Sequence, residues 1–211
     1  MFDSSIPATI ESRRFPMPHE TPLILFGGSF DPVHNAHLEI AERALSALGA
    51  ERVLFIPAAQ SPLKTHTTAA STGQRLAMLR LAIADKPRFE ICEWELAQGG
   101  KSFSIDTVRH VANLHPHHPL YWLIGTDQLA QLPKWRDIDE LGTLLTFAVY
   151  RRAGSAAVTA PEGPDLRVTW LEGPQLPANS TAIRQDPATL HTNVPKNVAA
   201  FIRQHGLYGS S

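Results

Sequence analysis

The apolar run Leu23-Ile24-Leu25-Phe26 breaks into Gly27-Gly28-Ser29-Phe30-Asp31-Pro32-Val33-His34-Asn35-Ala36-His37 and then into an amphipathic helical pattern. A buried strand, a glycine turn and a helix N-terminus in that order are the opening unit of a doubly wound α/β sheet. The turn needs glycine, and it leaves backbone N–H groups to meet phosphate oxygens. His34 and His37, three apart at the helix start, share one face. There they can donate to a polyphosphate, supported by the positive end of the helix dipole. Surface or metal-binding histidines are the plain alternative, although no third ligand lies close in sequence.

The same alternation continues. Residues 35–48 read as a helix with Leu38, Ala41, Leu45 and Leu48 on one face and Gly49 as its stop. Strands are predicted at 53–56, 89–94, 120–124, 146–150 and 167–171, with helices at 74–84, from an N-cap at Ser104 to Leu114, and from Pro195 to His205. Residues 58–72 and 153–165 read as loops. Helices between strands imply a mostly parallel, doubly wound sheet with helices on both faces, whose ligands bind outside the carboxyl ends of the strands.

The chain has 211 residues, enough for one domain with at most a small appendage, and no apolar run approaches membrane-spanning length. A formal net charge of −1 leaves no basic footprint for nucleic acid. Cys92 is the only cysteine, which rules out an internal disulfide and reads as a small buried thiol in a strand. Residues 1–21 carry Arg13 and Arg14 without the apolar core of a signal peptide, so they read as a mobile extension of a cytoplasmic protein, with 22–211 as one domain.

The segment Gly27–His37 closely resembles the G-x-F-D-x-x-H-x-G-H signature of the nucleotidyltransferase superfamily, and Asn179-Ser180-Thr181-Ala182-Ile183-Arg184 is similar to its second signature, S-x-T-x-I-R. Between and after them, residues 102–107, 123–129 with 133–135, and 198–208 resemble the bacterial nicotinate-nucleotide adenylyltransferases. The resemblance covers nearly all of 23–208. It implies a Rossmann-like fold and transfer of the adenylyl group of ATP to nicotinate mononucleotide, giving deamido-NAD and pyrophosphate. It also implies Mg²⁺ carried on the ATP phosphates, with few or no protein ligands. The catalytic residues it implies are His34, His37 and Arg184. Gly27, Gly28, Ser29, Phe30, Gly125, Asp127, Ser180 and Thr181 would bind ATP. Lys64, Ser104, Ile105 and Trp135 would bind the mononucleotide, with the pyridine carboxylate near the helix start at Ser104.

The residues allow other readings beside these. Asp127 suits ribose hydroxyls or caps the short helix that follows; Trp135 is a platform for a flat pyridinium ring or a core side chain. Lys64 holds a phosphate or is a solvated loop lysine; Arg184 grips β- and γ-phosphates or is an ordinary surface arginine. Arg151 and Arg152 end a strand on the ligand side and could also meet phosphate. Ala36, Leu63, Phe103 and Ala153 stand where the family usually has glycine, histidine, tyrosine and proline; the Ala36 methyl could crowd adenine. Competing functions are the same chemistry on nicotinamide mononucleotide or another phosphate acceptor, and a nucleotide-binding module without catalysis. A dehydrogenase-like dinucleotide binder would need a G-x-G-x-x-G turn after the first strand, which this chain lacks. The sequence leaves the oligomeric state open.

Overall fold

A computed structural model describes residues 21–60, 68–152 and 165–210. Among the described residues six strands form one wholly parallel sheet in the order β3-β2-β1-β4-β5-β6. They are β1 (Leu23–Gly28), β2 (Arg52–Pro57), β3 (Phe89–Ile91), β4 (Leu120–Gly125), β5 (Thr146–Arg152) and β6 (Val168–Gly173). The helices are α1 (Asn35–Ala47), α2 (Thr72–Ile83), α3 (Trp94–Gln98), α4 (Ser104–Leu114), α5 (Thr126–Leu129), α6 (Ile138–Leu144), α7 (Ser180–Gln185), α8 (Leu190–Asn193) and α9 (Lys196–Gln204). The order reverses between β1 and β4, whose registers pair Leu23 with Leu120 and Leu25 with Trp122. A crevice opens at such a switch point, outside the carboxyl ends of the strands.

The period of two along each strand divides the core between the two faces of the sheet. Ile24 and Phe26 of β1 join Val53 and Phe55 of β2 under α1, α2 and α9. Leu23 and Leu25 join Leu54, Ile56 and Trp122 under α4 and α6. All of these side chains are at most 9% exposed. Gly49, at φ +57, ends α1 as the sequence requires.

Several elements differ from the sequence reading, each for a local reason. Gly27 and Gly28 belong to β1 rather than to the turn. They are glycine because of close approach: a Cβ on Gly27 would stand 2.7 Å from Trp122 Cζ2, and one on Gly28 3.0 Å from the Phe30 ring. The left-handed residue of the turn is Phe30, at φ +48. The third strand stops at Ile91, so Trp94 opens α3 instead of closing a strand, and Cys92 is half-buried beyond the strand end. Its amide still donates to Phe55 O at 2.9 Å. Ser104 is the first residue of α4, not its cap; Phe103 holds that position and supplies no side-chain bond. The helix predicted from Gln74 starts at Thr72, because Ser71 and Gln74 form a reciprocal capping box. Thr21, placed in the extension by sequence, hydrogen-bonds Glu51 Oε2 at 3.2 Å; residues 1–20 lie outside the described residues. Among the described residues no helix is long and apolar enough to cross a membrane.

Candidate active site

The crevice is organised by the segment between β1 and α1. His34 caps α1: its Nδ1 accepts from the His37 amide at 3.4 Å, and His37 Nδ1 accepts from the His34 amide at 3.2 Å. A capping box built from two imidazoles fixes both rings. They stack with centroids 3.6 Å apart and planes 18° from parallel. An Nδ1 that accepts leaves the proton of a neutral ring on Nε2. His34 is 6% exposed, and burial lowers its pKa from 6.5 to about 4. It therefore stands neutral at pH 7, as a hydrogen-bond donor rather than a cation. His37 packs edge-on against Phe30 at 5.1 Å and Phe26 at 5.9 Å.

The turn ahead of the histidines is clasped by distant residues. Arg75, 1% exposed in α2, donates to Ser29 O at 2.7 Å and Ala58 O at 2.9 Å. Its Nε is buried without a partner. Ser180 Oγ donates to Pro32 O at 3.0 Å, and Arg184 Nη1 to Asp31 O at 2.6 Å. The second signature thus closes directly on the backbone of the first, 148 and 153 residues away in sequence. Asn179 caps α7, accepting from Ala182 N at 2.8 Å, and Arg184 Nη2 reaches Thr181 Oγ1 at 3.2 Å.

The two histidines, Ser180, Thr181 and Arg184 line a cavity of about 830 Å³. Gly27, Gly28, Ser29, Phe30, His34 and His37 form one wall, Gly125 and Asp127 another, and Ser180, Thr181 and Arg184 a third. Ala36, 5% exposed, also belongs to its lining. Asp127 is not a cap: Gly125 holds the cap position of α5. The Asp127 carboxylate instead folds over Gly125, where a Cβ would meet Oδ1 at 2.6 Å.

A second cavity of about 740 Å³ shares Gly27, Gly28, Ser29, Asp127 and Gln128 with the first. Ser104, Trp135, Lys134 and Arg136 line it, together with Phe103. Trp135 both lines this cavity and packs in the core. Its ring faces this cavity while its edges pack in the core, 6.0 Å from Trp122 and 6.2 Å from Phe147, with Nε1 buried and unpartnered. The Arg136 guanidinium lies 3.8 Å over the Phe103 ring. Glu95 reaches the same cavity; burial pushes its carboxyl up, and it accepts from Thr107 Oγ1 at 2.6 Å.

Not every sequence candidate lies here. The Ile105 side chain is fully buried in the core, so only its backbone could serve a ligand. Arg151 pairs with Glu172 and lies 5.4 Å over Trp170, outside both cavity linings. Lys64, Leu63 and Ala153 fall outside the described residues, as does the Arg152 side chain. Sequence reasoning gave no role to Arg75, Asp31 or Gln128. Arg75 carried a readable signal: it stands in phase with Met78, Leu79 and Ala82 on the buried face of α2.

The sequence pattern of the cytidylyltransferase-like family matches residues 25–186. A "Probable nicotinate-nucleotide adenylyltransferase" of Opitutus terrae is 40% identical over 188 residues, covering 88% of this chain and 96% of that protein. One of the same name from Geobacillus kaustophilus is 38% identical, covering 88% and 85%. Among solved structures, Plasmodium falciparum nicotinic acid mononucleotide adenylyltransferase complexed with NaAD superposes with a TM-score of 0.74 at 16% identity, over 91% of this chain and 99% of that one. That likeness is one of fold.

Proposed function

The chain belongs to the nicotinate-nucleotide adenylyltransferases of the cytidylyltransferase-like family, and from that membership we propose how its two cavities carry the reaction. The enzyme transfers the adenylyl group of ATP to nicotinate mononucleotide, releasing pyrophosphate and forming deamido-NAD. The observation that carries the assignment of roles is that the two cavities meet at Gly27–Ser29 and Asp127. ATP occupies the cavity between the signatures. The mononucleotide enters the one lined by Ser104 and Trp135, with Trp135 against the pyridine and the first N–H groups of α4 toward its carboxylate.

A phosphate oxygen of the mononucleotide forms a bond to the α-phosphorus as the bond to the bridging α–β oxygen breaks, and pyrophosphate leaves with that electron pair. The attacking oxygen is already ionised, so no protein nucleophile is needed. Catalysis rests on alignment and on charge stabilisation where it develops. His34 and His37 donate to the α-phosphoryl oxygens; Ser180, Thr181 and Arg184 hold the departing phosphates; Asp127 accepts from ribose hydroxyls. Lys64 serves the mononucleotide phosphate. The cavity offers imidazole, hydroxyl and guanidinium groups that suit a triphosphate, on which Mg²⁺ would be carried in. When bound there, the cation supplies charge neutralisation on the phosphates.

The test is incubation with ATP, Mg²⁺ and either nicotinate or nicotinamide mononucleotide, with product identified by mass. Deamido-NAD formed in preference to NAD supports the reading. ATP binding without pyrophosphate release would return the chain to a binding module.

A further inference from the structure

We propose that Tyr208 is a positioning residue for adenylyl transfer: by donating to Asp31 it holds the turn before α1 and keeps Arg184 available to the leaving phosphates. This rests on the reaction proposed above. Asp31 is 5% exposed and belongs to the wall of the nucleotide cavity. A carboxylate in that position repels a triphosphate unless its charge is turned elsewhere. Three donors do so. Ala69 N reaches Oδ2 at 2.7 Å, Ala70 N reaches Oδ1 at 3.1 Å, and the Tyr208 hydroxyl reaches Oδ1 at 2.8 Å.

Two of these donors are backbone amides of the segment leading into α2. The third comes from the far end of the chain, 177 residues on. Tyr208 is held at φ +59, and Phe30, one residue before Asp31, at φ +48. Left-handed backbone in bulky L-residues persists only where surrounding contacts over-determine it. Here both strained residues converge on one carboxylate. Arg184, which bonds the Asp31 carbonyl, stands close enough to the phenol to act on it electrostatically, as does Arg75. Without the phenol, Asp31 Oδ1 keeps only the longer bond from the Ala70 amide, and Arg184 is the cation at hand to take the vacated place. An Arg184 captured by Asp31 no longer serves pyrophosphate.

The experiment compares Tyr208→Phe, Asp31→Asn and the double variant, measuring kcat, the KM of each substrate, the Tm, and amide exchange at Ala69 and Ala70. Tyr208→Phe is expected to lower kcat at least tenfold while both KM values stay within threefold and the Tm within a few degrees. Exchange at Ala69 and Ala70 should quicken, and the double variant should be no slower than Asp31→Asn alone. A kcat within twofold of the parent, or losses that multiply in the double variant, would overturn the proposal. A Tyr208→Phe chain that fails to fold would also overturn it, since the bond would then serve the fold rather than the site. A parent chain that forms no dinucleotide would count against the reaction itself; the exchange rates, which need no turnover, still decide whether Tyr208 holds the turn.

Discussion

At the scale of single residues, the two histidines form one stacked pair but differ in burial. His34 is the buried member, and its depressed pKa ties the ionisation of one ring to the stability of the fold. Folding favours the neutral ring, so its contribution is full above pH 6.5 and is lost as pH falls toward about 4. At about 1.4 kcal/mol per pKa unit, the loss reaches about 3 kcal/mol. Denaturant melts across this range should show that loss in the parent chain. They should show it missing in His34→Asn, which keeps a good cap; identical pH slopes would contradict the assignment. His37 carries the direct test of the proposed chemistry. His37→Ala is expected to lower kcat by about 10²–10³-fold, the usual effect of deleting a donor to developing charge. Losing its half of the capping box costs about 1 kcal/mol, so circular dichroism should show a folded chain.

At the scale of elements, what the sequence makes legible is what short-range chemistry decides. β1, β2 and β4 read as continuous apolar runs, and Gly49 marks a helix end by its own conformational preference. The start of α4 is illegible because Phe103, without a side-chain acceptor, caps it; α3 and α6 are only five and seven residues long, too short for a clear period. Phe30 cannot be read as left-handed from its own chemistry, because packing against Phe26, Phe55 and His37 decides it. The glycines of β1 were legible as necessary but not for the right reason. Gly27 is small so that Trp122 can cross beneath it, which makes the strand end depend on its neighbour in the sheet. Gly27→Ala should destabilise the fold by about 1–3 kcal/mol through overpacking. Combining it with Trp122→Phe should cost less than the two changes summed; strict additivity of the melting shifts would show that the two sites do not meet.

At the scale of the whole molecule, residues from opposite ends of the chain are gathered around one short turn. Arg75 comes from α2, Ser180 and Arg184 from α7, and Tyr208 from the last turn, and each bonds an atom between Ser29 and Pro32. The two signatures were legible separately, as donors suited to phosphate. That they close on each other was not, since only the parallel order β3-β2-β1-β4-β5-β6 brings α7 back to β1. The topology therefore makes one cavity from two distant segments and sets a second beside it. A crystal structure of the chain with Mg²⁺ and a non-hydrolysable ATP analogue tests this most directly. The triphosphate should lie between the imidazoles of His34 and His37 and the Ser180–Arg184 cluster, with its α-phosphorus facing the cavity of Trp135. A triphosphate bound elsewhere, or touching one cluster and turned from the other, would contradict the account.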